Sequence, residues 1–118
     1  MSTVTAEQLA LIAQLCDGEP TYREEGPWKL IHMPSLRFIA AGVQKKMDAL
    51  LCLNHNNPTY PTKLYLAERV AVAVNWNEDG HFLGRHWFTF SWRDVTADQS
   101  PFEILALHLA PLKRGRAA

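Results

Sequence analysis

The sequence predicts an α+β fold in which a helix at each end of the chain packs on an antiparallel β-meander. Three observations lead to this prediction: apolar residues recur at helical spacing near the N-terminus, the centre of the chain alternates with period two, and a strong helix start stands at Ser100. The 118 residues fit a single domain over 1–118, long enough to bury a core without disulfides or a structural metal.

The first helix is predicted over residues 6–16. Thr5 and Gln8 have the spacing of a capping box, and the apolar residues that follow share one face: Leu9, Ile12, Leu15 and Cys16. Asp17 and Gly18 are predicted to end the helix. The polar stretch DGEPTYREEGP carries glycine and proline, so it is predicted to be a connection.

The central region from Trp28 is predicted to form a run of short antiparallel strands. Its segments are rich in β-branched and aromatic residues and are bounded by Pro, Gly or Asn: WKLIHM, SLRFIAAGV, KMDALLCLN, KLYLAE and VAVAVNW. Two faces alternate along the third segment: Met47, Ala49, Leu51 and Leu53 on one, Asp48, Leu50, Cys52 and Asn54 on the other. The stretch NEDG is turn-like, and HWFTFSW after it is either a last strand or an extended loop.

The second helix is predicted to begin at SPFEILALHLAPL. Ser100 is the expected N-cap, Pro101 occupies the first helical position, and Glu103 follows three residues after the cap. The apolar face of this helix is predicted to hold Phe102, Leu105, Leu109 and Leu112.

Composition argues against several classes of function. Twelve basic and twelve acidic residues cancel, so the chain lacks the charge excess typical of proteins that bind nucleic acid. No segment approaches the ~20 apolar residues of a membrane span, and the start MSTVTAEQLA does not resemble a leader. Cys16 and Cys52 are expected to be buried thiols. We therefore expect a cytoplasmic protein without nucleic-acid or membrane partners.

The stretch HFLGRHWF, residues 81–88, concentrates hydrogen-bonding side chains and raises the question of a metal site. Zinc needs three or four ligands, and His81 with His86 would need Asp79, His55 or Glu78 to join them from elsewhere. The sequence has no HExxH motif and no cysteine cluster. We therefore expect neither a metal nor another cofactor.

Catalytic candidates in the sequence are weak. Cys52 and His55 lie three residues apart, and within a strand their side chains would point to opposite faces. Ser91 lacks the GxSxG context of a hydrolase nucleophile. Cys52 stands in the apolar run LLCLN and is predicted to be a core residue rather than a nucleophile. The stretch NHNNPTY that follows is predicted to be a turn.

Aromatic residues favour a binding surface. Trp76, Trp87 and Trp92 fall close together in the chain and are interleaved with Arg85 and Arg93, the residue types that anchor protein interfaces. Core packing is the alternative role for each tryptophan.

Three short motifs, YPTKLYL, NWNEDG and QSPFEILALHL, together with the order of elements, resemble the core of the ubiquitin-conjugating-enzyme family over roughly residues 5–112. The resemblance implies that the nucleophilic cysteine of the family would fall between His81 and Gly84, nearest Leu83. No cysteine stands there, and thioester formation needs a thiolate. The element GRHW is similar to divergent bacterial members of this fold.

The resemblance therefore implies a non-catalytic variant that acts by protein binding in a bacterial ubiquitin-like conjugation pathway. Its partners would be a ubiquitin-like protein, an activating enzyme or a catalytic conjugating-type subunit. The residues expected to carry the function are Tyr60, Pro61, His81, Arg85, His86, Trp87 and Trp92. Two alternatives stay open. One is an acyl-transfer enzyme that uses Cys52 beside His55 or a site built on His81 and His86, and the other is an unrelated small α+β ligand-binding domain.

Overall fold

The computed structural model describes residues 4–71 and 75–114, and these ranges contain two helices and six strands. The elements are, in chain order, α1 (Ala6–Ala13), β1 (Thr21–Glu25), β2 (Trp28–Ala40), β3 (Val43–Cys52), β4 (Lys63–Leu66), β5 (Asn75–Phe82), β6 (Arg85–Ser91) and α2 (Pro101–Arg114). All strands join one antiparallel sheet with the order β1-β2-β3-β4-β6-β5. No helix in the described ranges has the length and apolar character needed to cross a bilayer.

The predicted α+β class with an architecture like that of ubiquitin-conjugating enzymes is wrong. The described residues form mainly a curled antiparallel sheet, beside which stand helices of only 8 and 14 residues. The physical reason lies in two segments that were predicted to be irregular. The predicted connection contains β1, and the predicted turn NEDG lies inside β5. The protein is therefore β-rich, and its sheet curls over one of its own faces.

One face of the sheet is covered by both helices. The helix-side cluster joins Ile12 of α1 and Leu105 of α2 to the sheet residues Ala49, Leu51 and Leu53. The predicted common face is thus confirmed for Ala49 and Leu51 of β3 and for Leu53, which directly follows the strand. Burial of their apolar surface is the main force that holds the helices on the sheet.

The other face is covered by the sheet itself. The inner cluster consists of Leu30, Leu50, Cys52, Tyr65 and Trp87, with Trp28, Phe82 and Leu83 packed against it. The tip of the β5–β6 hairpin reaches across this face, where the Leu83 N–H donates to Glu25 Oε1 at 3.0 Å. The Phe82 ring lies edge-on against Tyr65, with ring centroids 5.2 Å apart.

Two-residue turns shape both long hairpins. Ala41 and Gly42 join β2 to β3 with φ of 50° and 80°, and Leu83 and Gly84 join β5 to β6 with φ of 53° and 75°. Turns with two left-handed residues match the right-handed twist of the strands they connect, and glycine adopts such φ values at no steric cost. The β5–β6 reversal therefore occurs at residues 83–84 and leaves NEDG in the strand.

Strand β2 merges two segments that were predicted to be separate. Its pairing with β3 shifts register between Met33 and Leu36. The irregularity accommodates Pro34, which cannot donate to a ladder, and Ser35, whose N–H donates to Asp48 Oδ1 at 2.9 Å. Of the predicted strand over 70–76, residues 72–74 lie outside the described ranges.

The helix starts follow the predicted caps. Thr5 Oγ1 accepts from the Gln8 N–H at 3.1 Å, and α2 begins at Pro101 after Ser100. Helix α1 ends earlier than predicted because Cys16 forms a β-bridge with Leu36. The segment after α1 therefore runs along the outer edge of β2.

Candidate functional site

A groove of about 500 Å³ lies toward the turn end of the β2–β3 hairpin. We call it the hairpin groove, and its lining residues are Asp17, Arg37, Phe38, Ile39, Gln44, Lys45 and Lys46. Three of these side chains are cationic and one is a carboxylate. The lining therefore has an excess of positive charge in a chain whose total charges cancel.

Cross-strand register places the side chains of the hairpin groove. Arg37 pairs with Lys46 and Ile39 pairs with Gln44, so these four side chains share one face of the hairpin. Asp17 joins them because the Asp17 N–H donates to Ser35 O at 3.0 Å along the outer edge of β2. The groove thus extends from the hairpin face to the edge of the sheet.

A network of charges holds Arg37 in place. Its Nε lies 3.0 Å from Asp17 Oδ1, and its Nη2 donates to Gln14 O at 2.6 Å. Lys46 Nζ lies 3.0 Å from the other oxygen of Asp17. The hydrogen bond from Lys46 lowers the pKa of Asp17, and the charges of Lys46 and Arg37 act in the same direction. Asp17 is therefore ionised over the physiological range.

Lys45 contributes the third cation. It is exposed and forms no ion pair with any residue in the described ranges. The hairpin groove contains no cysteine, histidine or serine that could act as a nucleophile or general base. Its chemistry is that of a donor surface for carboxylates or other anions.

The predicted catalytic pair does not form an active nucleophile. Cys52 is 1% exposed, and burial raises its pKa to about 11. Its Sγ lies 3.9 Å from Asn54 Oδ1, while the His55 ring stacks on Trp28 with centroids 6.2 Å apart. Cys52 is therefore a protonated thiol of the inner cluster at neutral pH.

The two hairpin histidines lie opposite each other on β5 and β6. His81 and His86 are direct cross-strand partners, and His86 Nε2 lies 3.2 Å from Asp79 Oδ2. Arg69 Nη2 contacts the other oxygen of Asp79 at 3.5 Å. Across the described part of the chain, no three histidine, cysteine, aspartate or glutamate side chains are grouped closely enough to hold a metal ion. The side chain of Glu78 lies outside the described set.

The predicted binding residues separate into two regions. At the start of β6, Arg85 lies over the Trp87 ring at 4.5 Å and pairs with Asp48 at 3.1 Å. Trp87 is fully buried in the inner cluster, and its Nε1 donates to Phe82 O at 2.9 Å. Trp87 therefore presents no surface to a partner in this conformation.

The second region lies beyond the other end of β6. The Asp94 N–H donates to Thr59 O at 2.9 Å, which brings the loop with Tyr60 and Pro61 next to the segment that follows Trp92. Trp92 is half-buried, with the Arg114 guanidinium 5.7 Å from its ring centroid. These residues are thus separated along β6 from Arg85 and Trp87.

Sequence reasoning missed the hairpin groove. Arg37 lies inside an apolar run, and Asp17 was interpreted only as the end of a helix. The signal that was present is the polar run QKK, residues 44–46, which follows Gly42 and Val43. Such a run on a strand indicates a hairpin that extends beyond the core.

Comparisons with known proteins assign no family to this architecture. The resemblance to ubiquitin-conjugating enzymes finds no support in them. No family model, curated protein or solved structure matches this chain.

Proposed function

We propose that this protein is a non-catalytic binding protein whose hairpin groove takes an acidic segment of a partner protein. The single observation that supports this function is the lining of the groove, which contains three cationic side chains, those of Arg37, Lys45 and Lys46, and one carboxylate, that of Asp17. Oriented cationic donors bind carboxylates through short, charge-assisted hydrogen bonds. The surface therefore has the chemistry to recognise glutamate and aspartate side chains.

The internal ion pairs of the groove favour exchange with an incoming ligand. The side chains of Arg37 and Asp17 are 51% and 45% exposed. Ion pairs at such exposure contribute little to stability because water solvates both partners. A carboxylate of the partner can therefore compete with Asp17 for Arg37, while Asp17 and Gln14 hold the guanidinium in position before binding.

The groove also favours a protein segment over a nucleic acid. Its lining includes the half-buried Ile39, which offers apolar contact beside the cations. Nucleic-acid binding depends mainly on phosphate neutralisation over an extended basic surface, and the chain as a whole carries no net charge. A peptide that alternates acidic and apolar side chains fits both properties.

A fluorescence anisotropy titration with a labelled alternating Glu-Val peptide tests the function. We expect saturable binding that weakens as salt concentration rises, and no binding of the matching Gln-Val peptide. Lys45→Glu should weaken binding about tenfold, because it reverses a groove charge that no internal ion pair uses.

The matched control is Arg23→Glu, which makes the same charge change on the exposed strand β1, away from the groove. This variant should bind the Glu-Val peptide as the unchanged protein does. Equal losses in the two variants, or no saturable binding of the Glu-Val peptide, would show that the hairpin groove is not the site.

We do not extend the proposal to a ubiquitin-like pathway, because the architecture on which that prediction depended is not the one observed. We do propose a cytoplasmic location, which the two free cysteines, Cys16 and Cys52, support. Free thiols are common where the compartment is reducing.

A further inference from the structure

The outer edge of β2 is only partly paired. β1 pairs with β2 from Trp28 to His32, and Cys16 forms a single bridge with Leu36. Beyond Arg37, no strand of the described ranges lies alongside this edge until Ala41, whose N–H donates to Leu112 O of α2 at 2.9 Å. The open edge coincides with the hairpin groove, which is lined by Arg37, Phe38 and Ile39.

The hydrogen-bonding direction of Ile39 follows from its neighbours. The Arg37 N–H donates outward to Leu15 O at 2.7 Å, away from β3. Backbone groups of a strand alternate in direction, so the N–H and C=O of Ile39 also point outward. The two-residue turn gives the same answer, since it makes Ala40 and Val43 the hydrogen-bonded pair and leaves Ile39 with Gln44 as the non-hydrogen-bonded pair.

We propose that the acidic segment of the partner binds as an extended strand that pairs with the edge of β2 at Ile39. This inference rests on the function proposed above and adds the mode of binding. Main-chain hydrogen bonds to an exposed strand edge supply affinity, and alternate side chains supply specificity. In this register one face of the added strand lies beside Arg37, so acidic residues are expected at every second position.

Charge complementarity selects this occupant over a second copy of the chain. Pairing between two β2 edges would bring the Arg37 side chain of one copy, with the cations of its groove, toward Arg37 of the other copy. Like charges at short distance oppose such an interface. An acidic strand would instead bring its carboxylates next to the cations of the hairpin groove.

N-methylation of the probe peptide tests the inference without any change to the protein. In an added strand, the amides of one alternate set donate to β2 and the amides of the other set point away. We expect the alternating Glu-Val peptide to lose at least about tenfold in affinity when one set is methylated, and to bind normally when the other set is methylated.

A variant pair provides the second arm. Ile39→Pro removes the outward N–H and leaves the pairing of Phe38 and Ala40 with β3 intact, a substitution that edge positions tolerate. It should weaken binding of the Glu-Val peptide about tenfold, whereas Ile39→Val, which keeps the N–H, should not. Circular dichroism of both variants checks that the sheet is formed.

The outcomes separate the two proposals. Binding that survives methylation of either set, together with unchanged binding by Ile39→Pro, would leave the hairpin groove as the site for the acidic peptide and overturn the strand-pairing mode. No binding of the unmodified peptide would overturn both. A dimer in sedimentation that the peptide dissociates would show that a second copy occupies the edge, and would also overturn the inference.

Discussion

The Nε2 atom of His108 lies 2.9 Å from Thr62 Oγ1, and both side chains are buried between α2 and the sheet. The Thr62 hydroxyl donates its only hydrogen to Val95 O at 2.8 Å. It must therefore accept from His108, which fixes the imidazole as the neutral tautomer protonated at Nε2. The Nδ1 atom of His108 has no hydrogen-bond partner among the residues that the structure describes. Protonation of the buried His108 side chain is therefore unfavourable while the protein is folded.

The first prediction concerns stability at acid pH. Burial lowers the pKa of His108 to about 3, and the charge of Lys63 acts in the same direction. The unfolded chain binds this proton near pH ~6.5, so the contribution of His108 to stability is complete above that pH and is lost as pH falls toward the folded value. From this group alone, the free energy of unfolding measured in urea should be about 2 kcal/mol lower at about pH 5 than at about pH 7.

His108→Gln is the control for that measurement. The glutamine amide can still donate to Thr62 but does not titrate, so the variant should lose most of the difference between the two pH values even if it is less stable at both. An unchanged pH dependence in the variant would assign the effect to other groups.

The second prediction concerns Thr62 itself. Thr62→Val preserves shape but leaves Val95 O and the His108 Nε2–H without their observed partner in a buried site. Each unsatisfied buried group costs about 1–3 kcal/mol, so we expect a loss of about 3 kcal/mol in the free energy of unfolding. Thr62→Ser keeps the hydroxyl and should cost about 1 kcal/mol, for a lost methyl group. Equal losses in the two variants would mean that the hydroxyl does not stabilise the fold.

The third prediction concerns the two thiols. Burial raises the pKa of both Cys16 and Cys52 to about 11, compared with 9.0 for a free thiol. Because the thiolate reacts, each should modify about a hundredfold more slowly than a free cysteine at the same pH, and more slowly still where burial blocks access. Ellman's reagent, added to native protein and to protein unfolded in urea, measures the ratio of the two modification rates. Rapid modification of Cys52 in the native state would reopen its assignment as a nucleophile.

Sequence patterns predicted the local structure better than the tertiary arrangement. The cap at Thr5, the helix start at Pro101 and the common face of Ala49, Leu51 and Leu53 follow from spacing, which local chemistry sets. The curl of the sheet was not predictable in this way, because it depends on the contact between Leu83 and Glu25, far apart in the chain.

The same contrast between local pattern and tertiary contact applies to the candidate site. The density of histidine, arginine and tryptophan predicted a site at residues 81–92, whereas the hairpin groove depends on Asp17, which meets Arg37 and Lys46 only because the segment after α1 runs along β2. The residue pattern within each segment cannot predict the contact of Asp17 with Arg37 and Lys46. The polar run QKK indicates an exposed strand, but its partner is fixed by tertiary packing.

The fourth prediction tests the closure of the curled sheet. Glu25 Oε1 accepts the Leu83 N–H at 3.0 Å, and Phe82 beside it lies edge-on to Trp28 with centroids 6.4 Å apart. Glu25→Ala removes the acceptor and should cost about 1–2 kcal/mol of stability and change the fluorescence of Trp28, since the hairpin tip loses its link to β1.

Glu25→Gln keeps an acceptor oxygen at the same position. It should therefore lose at most half as much stability as Glu25→Ala and should keep the native fluorescence. Because the hairpin groove lies on β2 and β3 away from this tip, both variants should bind the acidic peptide as the unchanged protein does. A parallel loss of peptide binding in Glu25→Ala would instead show that the closed sheet positions β2, and that the groove depends on the inner cluster for its shape.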